Sequence, residues 1–329
     1  MVSRHYDREV VISALKQALP YIRIYRNRTF VIKAGGALCG DAAALRDLAE
    51  QVGVLCTLGI RVVLVHGGGP QTTAVSDKLG LVTTFIDGRR VTSPETLEVA
   101  VMTLNGSVNT ALLAACRAAA VPAVGVSGVD AGLIHAVKRP TQIREVNGQR
   151  TAVDYGLVGD IASVDANVLN RLLDGGMVPV VSPLSSDDDG QVLNINADTV
   201  ASTLACALGA EKLLFLTDTT GLLEDKRNAG SLVSYVDVAG LAALKEQGAI
   251  DAGMLPKVKA AIEALQGGVK RVHMVGYKAR STLLLEVFTN EGAGTLIVRS
   301  IAELLPAEHS ETAAADNHNA SSARSAAAP

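Results

Sequence analysis

Two stretches, VIKAGG (residues 31–36) and VVLVHGGGP (residues 62–70), decide the fold. Each is a short β-branched apolar run that ends directly in glycines and is followed by a segment with helical spacing. Apolar strands that alternate with helices indicate a mostly parallel sheet covered on both faces. The sequence therefore predicts an α/β fold, a three-layer αβα sandwich with a mostly parallel central sheet. Further strands are expected at 123–126, 178–181, 213–216 and 272–275, and helices at 41–58, 94–119 and 198–208.

The composition indicates a folded protein with small-molecule partners. The chain has 329 residues, of which 48% are hydrophobic and 19% charged, which excludes a mostly disordered protein. A net charge of −3 gives no electrostatic footprint for duplex DNA or an anionic membrane. Trp is absent and Tyr and Phe are few, so base recognition by aromatic stacking is disfavoured. We therefore expect small-molecule substrates, no nucleic acid and no membrane.

The cysteines and the N-terminal residues predict a cytoplasmic protein. Cys39, Cys56, Cys116 and Cys206 show no CxxC spacing for zinc or a redox disulfide, and are interpreted as small buried hydrophobic residues. The first residues, MVSRHYDREVV, carry charges where a signal peptide needs its apolar run. No stretch reaches the ~18 uncharged apolar residues that a membrane span requires.

The alternation of strands and helices is interrupted at identifiable places. Residues 8–19 have helical spacing and predict an amphipathic helix before the first strand. Between 133 and 164 polar and apolar residues interleave around Asn147-Gly148, which predicts a β-hairpin insertion. The length favours two lobes, with a boundary near Gly209. Residues 306–329, rich in Ala, Ser and Asn, are predicted to be a disordered tail.

The glycine clusters after the first two predicted strands point to an anion site. Glycines at the carboxyl ends of parallel strands let backbone N–H groups approach a ligand, and the following helix presents its positive N-terminus. A Walker A loop fails because Asp41 follows Gly40, and a dinucleotide fingerprint fails because position 72 is Thr72. Gly125-Val126-Ser127-Gly128-Val129 likewise misses the serine-hydrolase elbow. The two clusters, Gly35-Gly36 and Gly67-Gly68-Gly69, therefore predict phosphate or carboxylate binding.

Charged and amide side chains near these loops are candidates for the chemistry. Lys33 ends an apolar strand, where a lysine either reaches solvent or binds an anion. Lys257 follows Pro256, a residue typical of a helix start, which places it at a positive helix end. Asp198 is either an N-cap or a carboxylate that orients lysines. Asn194 and Asn196 form a strand-end amide pair for a polar substrate, and Arg90, if not merely exposed, suits a substrate carboxylate.

Taken in order, these segments resemble the acetylglutamate kinase branch of the amino-acid kinase family, from about residue 19 to residue 298. Each motif is a weak signal, but their collinearity is strong. The segments that carry the resemblance are LPYI (19–22), VIKAGG (31–36), HGGGPQ (66–71), RVT (90–92), GLVGD (156–160), NINAD (194–198), LTDTTG (216–221) and GMLPK (253–257).

The resemblance implies ATP-dependent phosphorylation of the γ-carboxylate of N-acetyl-L-glutamate in arginine biosynthesis. Lys33 and Lys257 would stabilise the transition state, and Asp198 would order both. Gly68, Gly69, Arg90, Asn194 and Asn196 would bind the amino acid. The nucleotide would contact Gly35, Gly36, Thr217, Asp218, Gly221, Leu223 and Met254. Mg²⁺ would arrive with ATP, and no metal-ligand set is predicted in the chain.

The resemblance also implies a division of the chain and a mode of regulation. Residues 1–26 would form an oligomerisation and regulation helix, 27–209 the lobe for substrate and dimerisation, and 210–305 the ATP lobe. Tyr21, His273, Glu286 and Gly292 would help line an inhibitory arginine site, and the N-terminal helices would join dimers into a hexamer. The alternative is that this helix merely caps the lobe.

Two other functions stay open at this point. A related kinase acting on N-acetyl-aminoadipate differs by one methylene, which is worth only about 1–3 kcal/mol and is not visible in residue types. A non-catalytic amino-acid sensor would keep the fold without turnover. Retention of Lys33, Lys257 and Asp198 together argues against the sensor.

Overall fold

The computed structural model describes residues 8–86, 89–146, 149–225, 227–228, 230–251, 253–289 and 292–304. The Asn147-Gly148 turn and the tail at 306–329 lie outside the described residues. The strands are β1 (Thr29–Ala34), β2 (Arg61–His66), β3 (Phe85–Ile86), β4 (Arg89–Arg90), β5 (Ala123–Ser127), β6 (Ile134–Lys138), β7 (Gln142–Val146), β8 (Gln149–Val153), β9 (Gly159–Val164), β10 (Val178–Ser182), β11 (Leu184–Ser186), β12 (Val192–Asn194), β13 (Lys212–Thr217), β14 (Tyr235–Asp237), β15 (Arg271–Gly276) and β16 (Gly294–Val298). The helices are α1 (Arg8–Tyr25), α2 (Gly36–Cys39), α3 (Ala42–Thr57), α4 (Gly69–Lys78), α5 (Pro94–Val101), α6 (Asn109–Ala118), α7 (Ala166–Asp174), α8 (Ala197–Ala207), α9 (Val238–Glu246), α10 (Leu255–Gln266) and α11 (Thr282–Phe288).

An eight-stranded sheet forms the centre of the molecule, in the order β14-β16-β15-β13-β1-β2-β10-β5. All neighbouring strands in it are parallel except β15 and β16. The predicted α/β class with a mostly parallel sheet is confirmed, and each of the six predicted strands is present. Because β1 lies between β2 and β13, the carboxyl ends of these three strands meet at one edge of the sheet.

Side-chain alternation along the strands divides the core into two layers. Val31 and Val63 face α7, α8, α9 and α10, whereas Ile32 and Leu64 face α1, α3, α6 and α11. Both faces are apolar, as expected for parallel strands covered by helices on each side. Lys33 shares the face of Val31, and His66 shares the face of Leu64, because successive side chains point to opposite faces.

The predicted insertion is present as two smaller sheets. β6 and β9 pair antiparallel within a four-stranded sheet of order β12-β11-β6-β9, and β7 pairs antiparallel with β8. A third hairpin, β3 with β4, precedes α5. The β3–β4 hairpin and the four-stranded sheet with its connecting segments supply side chains to the site described below.

The helix predicted at 94–119 is continuous but not regular. Between α5 and α6 the segment Met102–Val108 is π-helical. By length and apolar composition Pro94–Ala118 is long enough to span a membrane, yet 44% of its 18-residue apolar window is buried inside the protein. Leu104 and Leu112 pack in its core, and the buried Asn109 side chain makes hydrogen bonds there. A core helix passes the same test of length and composition.

The helix before the first strand extends to Tyr25, six residues beyond the predicted end, and continues through Pro20. Its last turns join the core through Tyr25, whose ring lies edge-on to Phe30 at 5.2 Å. Four apolar side chains on it stay largely exposed: Ile12, Leu15, Leu19 and Ile24. Ile12, Leu15 and Leu19 share one side of the helix, and nothing in the described part of the chain covers them.

Candidate functional site

A cavity of about 240 Å³ opens at the carboxyl ends of β1 and β2. It is enclosed by the glycine loops after these strands, the β3–β4 hairpin, the α5 end of the long helix and the turn between β12 and α8. The side chains and backbone that line it include Lys33, Gly36, Gly67, Gly68, Gly69, Arg89, Arg90, Leu104, Arg139, Asn194, Asn196 and Asp198. Most of the predicted catalytic and substrate-binding residues thus share one cavity.

Three charged side chains from distant parts of the chain meet at Asp198. The Lys33 Nζ lies 2.7 Å from Asp198 Oδ1, and the Lys257 Nζ lies 3.6 Å from Oδ2. The side chains of Lys33 and Asp198 are each 7% exposed, and that of Lys257 is 21% exposed. Lys257 reaches the carboxylate from α10 and is not among the residues that line the cavity. One carboxylate therefore holds two ammonium groups at the cavity edge.

Local sequence explains how each of the three groups reaches this position. Strand alternation turns Lys33 toward α8, and Pro256 occupies the first turn of α10, just before Lys257. Asp198 lies in the first turn of α8 and is not its N-cap. The cap is Asn196, whose Oδ1 accepts from the N–H groups of Asp198 and Thr199 at 2.8 and 3.1 Å. The N-cap alternative for Asp198 is therefore wrong, and its carboxylate is available for the lysines.

The two lysines determine the ionisation of Asp198. Burial alone raises the pKa of this carboxyl, but the charges of Lys33 and Lys257 and their hydrogen bonds outweigh burial and leave the pKa below its ordinary value. The carboxylate is consequently ionised at neutral pH. A buried charge of this kind is stable only when it is paired.

The glycine loops approach each other too closely for any side chain. A Cβ at Gly36 would lie 2.6 Å from Pro70 Cδ, and a Cβ at Gly68 would lie 2.5 Å from Leu104 Cδ2. Gln71 ties the loops together by donating from Nε2 to the Gly36 carbonyl at 2.6 Å. The backbone of both loops consequently lines the cavity at Gly36, Gly67, Gly68 and Gly69, an arrangement that would suit an anion.

Arg90 lies on the β3–β4 hairpin and forms one wall of the cavity. Its Nη2 donates to the Gly69 carbonyl at 3.0 Å and to Thr73 Oγ1 at 2.6 Å, and its guanidinium lies 4.8 Å from the centroid of the Phe85 ring. These contacts fix the plane of the guanidinium beside the glycine loop. The predicted amide pair is also present, and the Asn194 Nδ2 donates to Thr92 Oγ1 at 3.3 Å.

Two arginines of this cavity, Arg89 and Arg139, were not predicted from the sequence. Arg139 follows β6, is 7% exposed, and donates to Asp160 through Nε at 3.0 Å and Nη2 at 2.5 Å. Its guanidinium lies 5.6 Å from the Tyr155 ring centroid. Burial and the neighbouring Arg139 charge lower the pKa of Arg89. Together with Arg90 and Lys33 these residues make the cavity electropositive, although no local motif marks Arg139 because Asp160 lies on another strand.

Four of the residues predicted to contact a nucleotide lie at or just after the carboxyl end of β13: Thr217, Asp218, Gly221 and Leu223. Asp218 accepts a hydrogen bond from the Tyr277 hydroxyl at 2.7 Å, and a Cβ at Gly221 would lie 2.6 Å from Thr295 Oγ1. Leu223 forms a β-bridge with Leu232. Thr217 ends the strand, Gly35 lies against the Leu216 carbonyl, and Met254 precedes α10. Except for Gly36, none of the predicted nucleotide residues lines the cavity among the described residues.

The residues predicted for an arginine site form a second buried cluster between β15 and α11. His273 Nδ1 lies 2.6 Å from Glu286 Oε1, and Glu286 Oε2 accepts from the Ala293 N–H at 2.6 Å. Gly292 has φ +64, and a Cβ there would lie 2.8 Å from Glu286 Oε2. The Lys212 Nζ lies 2.8 Å from His273 Nε2. Tyr21 packs nearby in the same core layer, stacked on Tyr25 at 6.4 Å.

Comparison with known proteins identifies the family. The model of the amino acid kinase family matches residues 28–276. The acetylglutamate kinase of Myxococcus xanthus is 49% identical over 295 residues, which cover 88% of this chain and 95% of that protein. The acetylglutamate kinase of Heliobacterium modesticaldum is 41% identical over 285 residues, covering 87% of this chain and 97% of that protein.

Solved structures agree with this fold. An N-acetylglutamate synthase from Neisseria gonorrhoeae, complexed with coenzyme A and N-acetyl-glutamate, aligns with a TM-score of 0.76 and 29% identity. The alignment covers 88% of this chain but 63% of the synthase. Carbamate kinase from Giardia lamblia shares the fold at a TM-score of 0.58 and 20% identity, covering 83% of this chain and 98% of that kinase. The chain therefore belongs to the amino acid kinase family.

Proposed function

We propose that the chain transfers the γ-phosphoryl group of ATP to the γ-carboxylate of N-acetyl-L-glutamate, releasing ADP and an acyl phosphate. The observation that carries the proposal is the pairing of Lys33 and Lys257 with the two oxygens of Asp198 at the edge of an electropositive cavity. The relatives named acetylglutamate kinase match almost along their whole length. This cavity suits a substrate with two carboxylates.

The chemistry requires charge neutralisation and positioning, and needs no general base. A γ-carboxylate is already ionised at pH 7 and can attack phosphorus directly. His66 is not available as a base, because both its ring nitrogens are engaged, and burial, the largest cause, lowers its pKa to about 4. Lys33, Lys257 and the glycine-loop N–H groups would therefore act by stabilising charge on the transferred phosphoryl group.

The remaining predicted residues would divide between the two substrates. Gly68, Gly69, Arg90, Asn194 and Asn196 would hold N-acetylglutamate, with the α-carboxylate toward the arginines. The nucleotide would lie over Gly35, Gly36 and the turn from Thr217 to Leu223, beside Met254. Mg²⁺ would enter as part of the ATP substrate, bound through phosphates and water. The division into an amino-acid lobe and an ATP lobe, and the cytoplasmic location, belong to this proposal.

An ADP-release assay tests the proposed function. With ATP and Mg²⁺, N-acetylglutamate should elicit ADP release, and hydroxylamine should trap the acyl phosphate as a hydroxamate. N-acetyl-aminoadipate serves as the second acid, and a higher kcat/KM for it would contradict the substrate assignment. Binding of nucleotide or N-acetylglutamate without ADP release would support the sensor instead.

Replacing Arg90 by lysine should raise KM for N-acetylglutamate about tenfold, or about 1.4 kcal/mol of lost binding, with kcat little changed. The ammonium keeps the charge but cannot reproduce the planar fork that binds a carboxylate through two hydrogen bonds. Steady-state kinetics at saturating ATP measure the effect. Arg117→Lys, an exposed arginine on α6, is the matched control. An unchanged KM for Arg90→Lys would remove Arg90 from the substrate site.

Arginine inhibition and hexamer formation are the regulatory part of the proposal. Glu286 offers a buried carboxylate beside His273 and the Ala293 N–H, with Tyr21 of α1 near this cluster. A guanidinium entering there would compete with His273 and Lys212 for this carboxylate. The exposed apolar face of α1 supplies a surface on which a second copy of the chain could pack, so that arginine binding and assembly would share one helix.

Replacing Glu286 by glutamine should raise the arginine concentration for half inhibition at least about tenfold, because a charge-assisted hydrogen bond contributes about 1.5–3 kcal/mol. The kcat without arginine should stay near the parent value, since Glu286 lies outside the cavity. Glu246→Gln on α9 is the exposed control. Equal arginine sensitivity in both variants would exclude Glu286 from the regulatory site.

Sedimentation of a chain lacking residues 1–20 tests the hexamer, which this deletion should abolish.

A further inference from the structure

A buried network of hydrogen bonds lies next to the glycine loop after β2. None of the roles assigned above involves this network. His66 ends β2 and is 0% exposed, and Asn109 begins α6 on the same face of the sheet and is 5% exposed. Asn109 Nδ2 lies 3.0 Å from the Val180 carbonyl oxygen and 3.1 Å from His66 Nε2. His66 Nδ1 lies 3.1 Å from the Gly67 carbonyl oxygen. These hydrogen bonds thus connect the neighbouring strand β10 to Gly67, the first glycine of the loop.

The carbonyl groups at the two ends of this hydrogen-bond network determine where the protons of Asn109 and His66 lie. Val180 and Gly67 both contribute carbonyl oxygens, which can only accept hydrogen bonds. Asn109 must therefore direct its NH₂ group toward Val180, and the same group donates to His66 Nε2. His66 must carry its proton on Nδ1 in order to donate to Gly67. The neutral Nδ1–H tautomer is the only form of the ring that satisfies all three contacts.

Both polar groups of Gly67 are consequently held by the protein. Its N–H donates to the Ala34 carbonyl at 2.9 Å, and its carbonyl accepts from His66. Peptide bonds of the described chain are trans, so the N–H of Gly68 points away from the Gly67 carbonyl. His66 does not line the cavity, whereas Gly67 and Gly68 do. Fixing the Gly67 carbonyl therefore also fixes the direction of the Gly68 N–H, on the side of the peptide away from His66.

The packing around Asn109 and His66 leaves little space for their side chains to adopt other positions. A Cβ at Gly125 would lie 2.1 Å from Asn109 Oδ1, so the position beside this amide accepts only glycine. The π-helical segment Met102–Val108 immediately precedes Asn109 and shifts the side chains that follow around the helix axis relative to a regular α-helix. Leu104 of that segment presses on Gly68 from the cavity side. The long helix thereby packs against the loop through Leu104, which contacts Gly68, and through Asn109, which contacts His66.

We infer that His66 is a positioning residue for the reaction: its Nδ1–H, oriented by Asn109, holds the Gly67–Gly68 peptide so that the Gly68 N–H points at the bound acid. His66 touches neither substrate and acts through this peptide alone. The inference rests on the proposed function of the cavity, since the acid is the ligand that the oriented N–H would meet. An N–H fixed before the substrate arrives costs no reorganisation during the reaction.

Two isosteric variants separate the positioning role from simple packing. In His66→Asn the side-chain amide nitrogen can occupy the position of Nδ1 and still donate to Gly67, whereas His66→Gln places its amide at the position of Nε2 and leaves the Gly67 carbonyl without its donor. We expect His66→Gln to lose about 10- to 100-fold in kcat/KM for N-acetylglutamate, and His66→Asn to stay within about threefold of the parent. KM for ATP should change less than about twofold in both.

The melting temperatures of the two variants provide the structural control. Both disturb the same buried position, so a merely structural role predicts that activity follows thermal stability in both. Equal kcat/KM in the two variants, or a greater loss in His66→Asn, overturns the inference. Absence of acid-dependent ADP release by the parent chain would instead overturn the proposed function.

A measurement on the parent chain keeps the inference testable even if a variant does not fold. Imidazole ¹⁵N spectra at pH 7, with His66 assigned by its absence from a variant that does fold or by through-bond correlation, report which ring nitrogen carries the proton. The inference requires a neutral ring with the proton on Nδ1. A proton on Nε2, or a doubly protonated ring, overturns it.

Discussion

Replacing Lys33 by alanine should lower kcat by about 10²- to 10³-fold, with modest changes in KM for either substrate. The ammonium lies at the carboxyl end of the central strand β1, at the cavity wall, and its charge can meet negative charge that develops on the phosphoryl group. An interaction made mainly in the transition state appears in kcat, because ground-state binding does not depend on it. Lys257→Ala should give a loss of similar size, since the second ammonium shares the same carboxylate.

A control for these variants lies two residues further along α10. Lys259 is exposed and pairs with Glu263 at 3.5 Å within the same helix, so Lys259→Ala should keep the parental kcat. Single-turnover measurements with saturating ATP and N-acetylglutamate report the chemical step directly. Parental turnover in both Lys33→Ala and Lys257→Ala would place the reaction elsewhere in the molecule.

Replacing Asp198 by asparagine should be the most damaging isosteric change in the site. It removes the counter-charge of two ammonium groups, of which that of Lys33 is almost fully buried. Removing one partner of a buried ion pair costs about 3–5 kcal/mol of unfolding free energy, because the remaining charge is left uncompensated. The lysines would also lose the group that orders them, so kcat should fall together with stability.

The stability difference between the parent and Asp198→Asn should depend on pH in a defined direction. The pKa of Asp198 in the folded chain lies below that of an unfolded aspartate, about 3.9, so the folded state prefers the ionised form. The stabilisation is therefore fully present above pH about 4 and is lost as the pH falls through the lowered folded pKa. Urea denaturation at neutral and acidic pH measures it. Asp189→Asn, an exposed loop carboxylate, should stay within about 0.5 kcal/mol of the parent at both pH values.

The strands and most helices could be predicted because both faces of the central sheet are buried. Each strand then appears in the sequence as a short continuous apolar run, and the observed strands are one to three residues longer than the predicted ones. The glycine loops were also predictable, since a strand that runs directly into glycines is a local pattern. The position of Asp198 was less certain from sequence, because Asn and Asp cap helices almost equally well and only the fold shows that Asn196 takes that place.

Features that depend on contacts distant in sequence could not be predicted. Arg139 enters the cavity because Asp160, on β9, holds its guanidinium, and neither residue has a local pattern that announces the pair. The π-helical segment from Met102 to Val108 has the apolar spacing of an ordinary helix. The buried contact between His66 and Asn109 joins residues 43 positions apart. In each case tertiary packing, and not local preference, selects the geometry.

The position of β1 between β2 and β13 has a consequence for the folding of the polypeptide during its synthesis on the ribosome. β2 follows β1 closely, but the partner on the other side begins only at Lys212. Until that segment emerges, the nascent polypeptide presents an open β-edge along residues 29–34, and such an edge invites pairing with other chains. We therefore expect the nascent polypeptide to be prone to aggregation while the residues between these two segments are being translated.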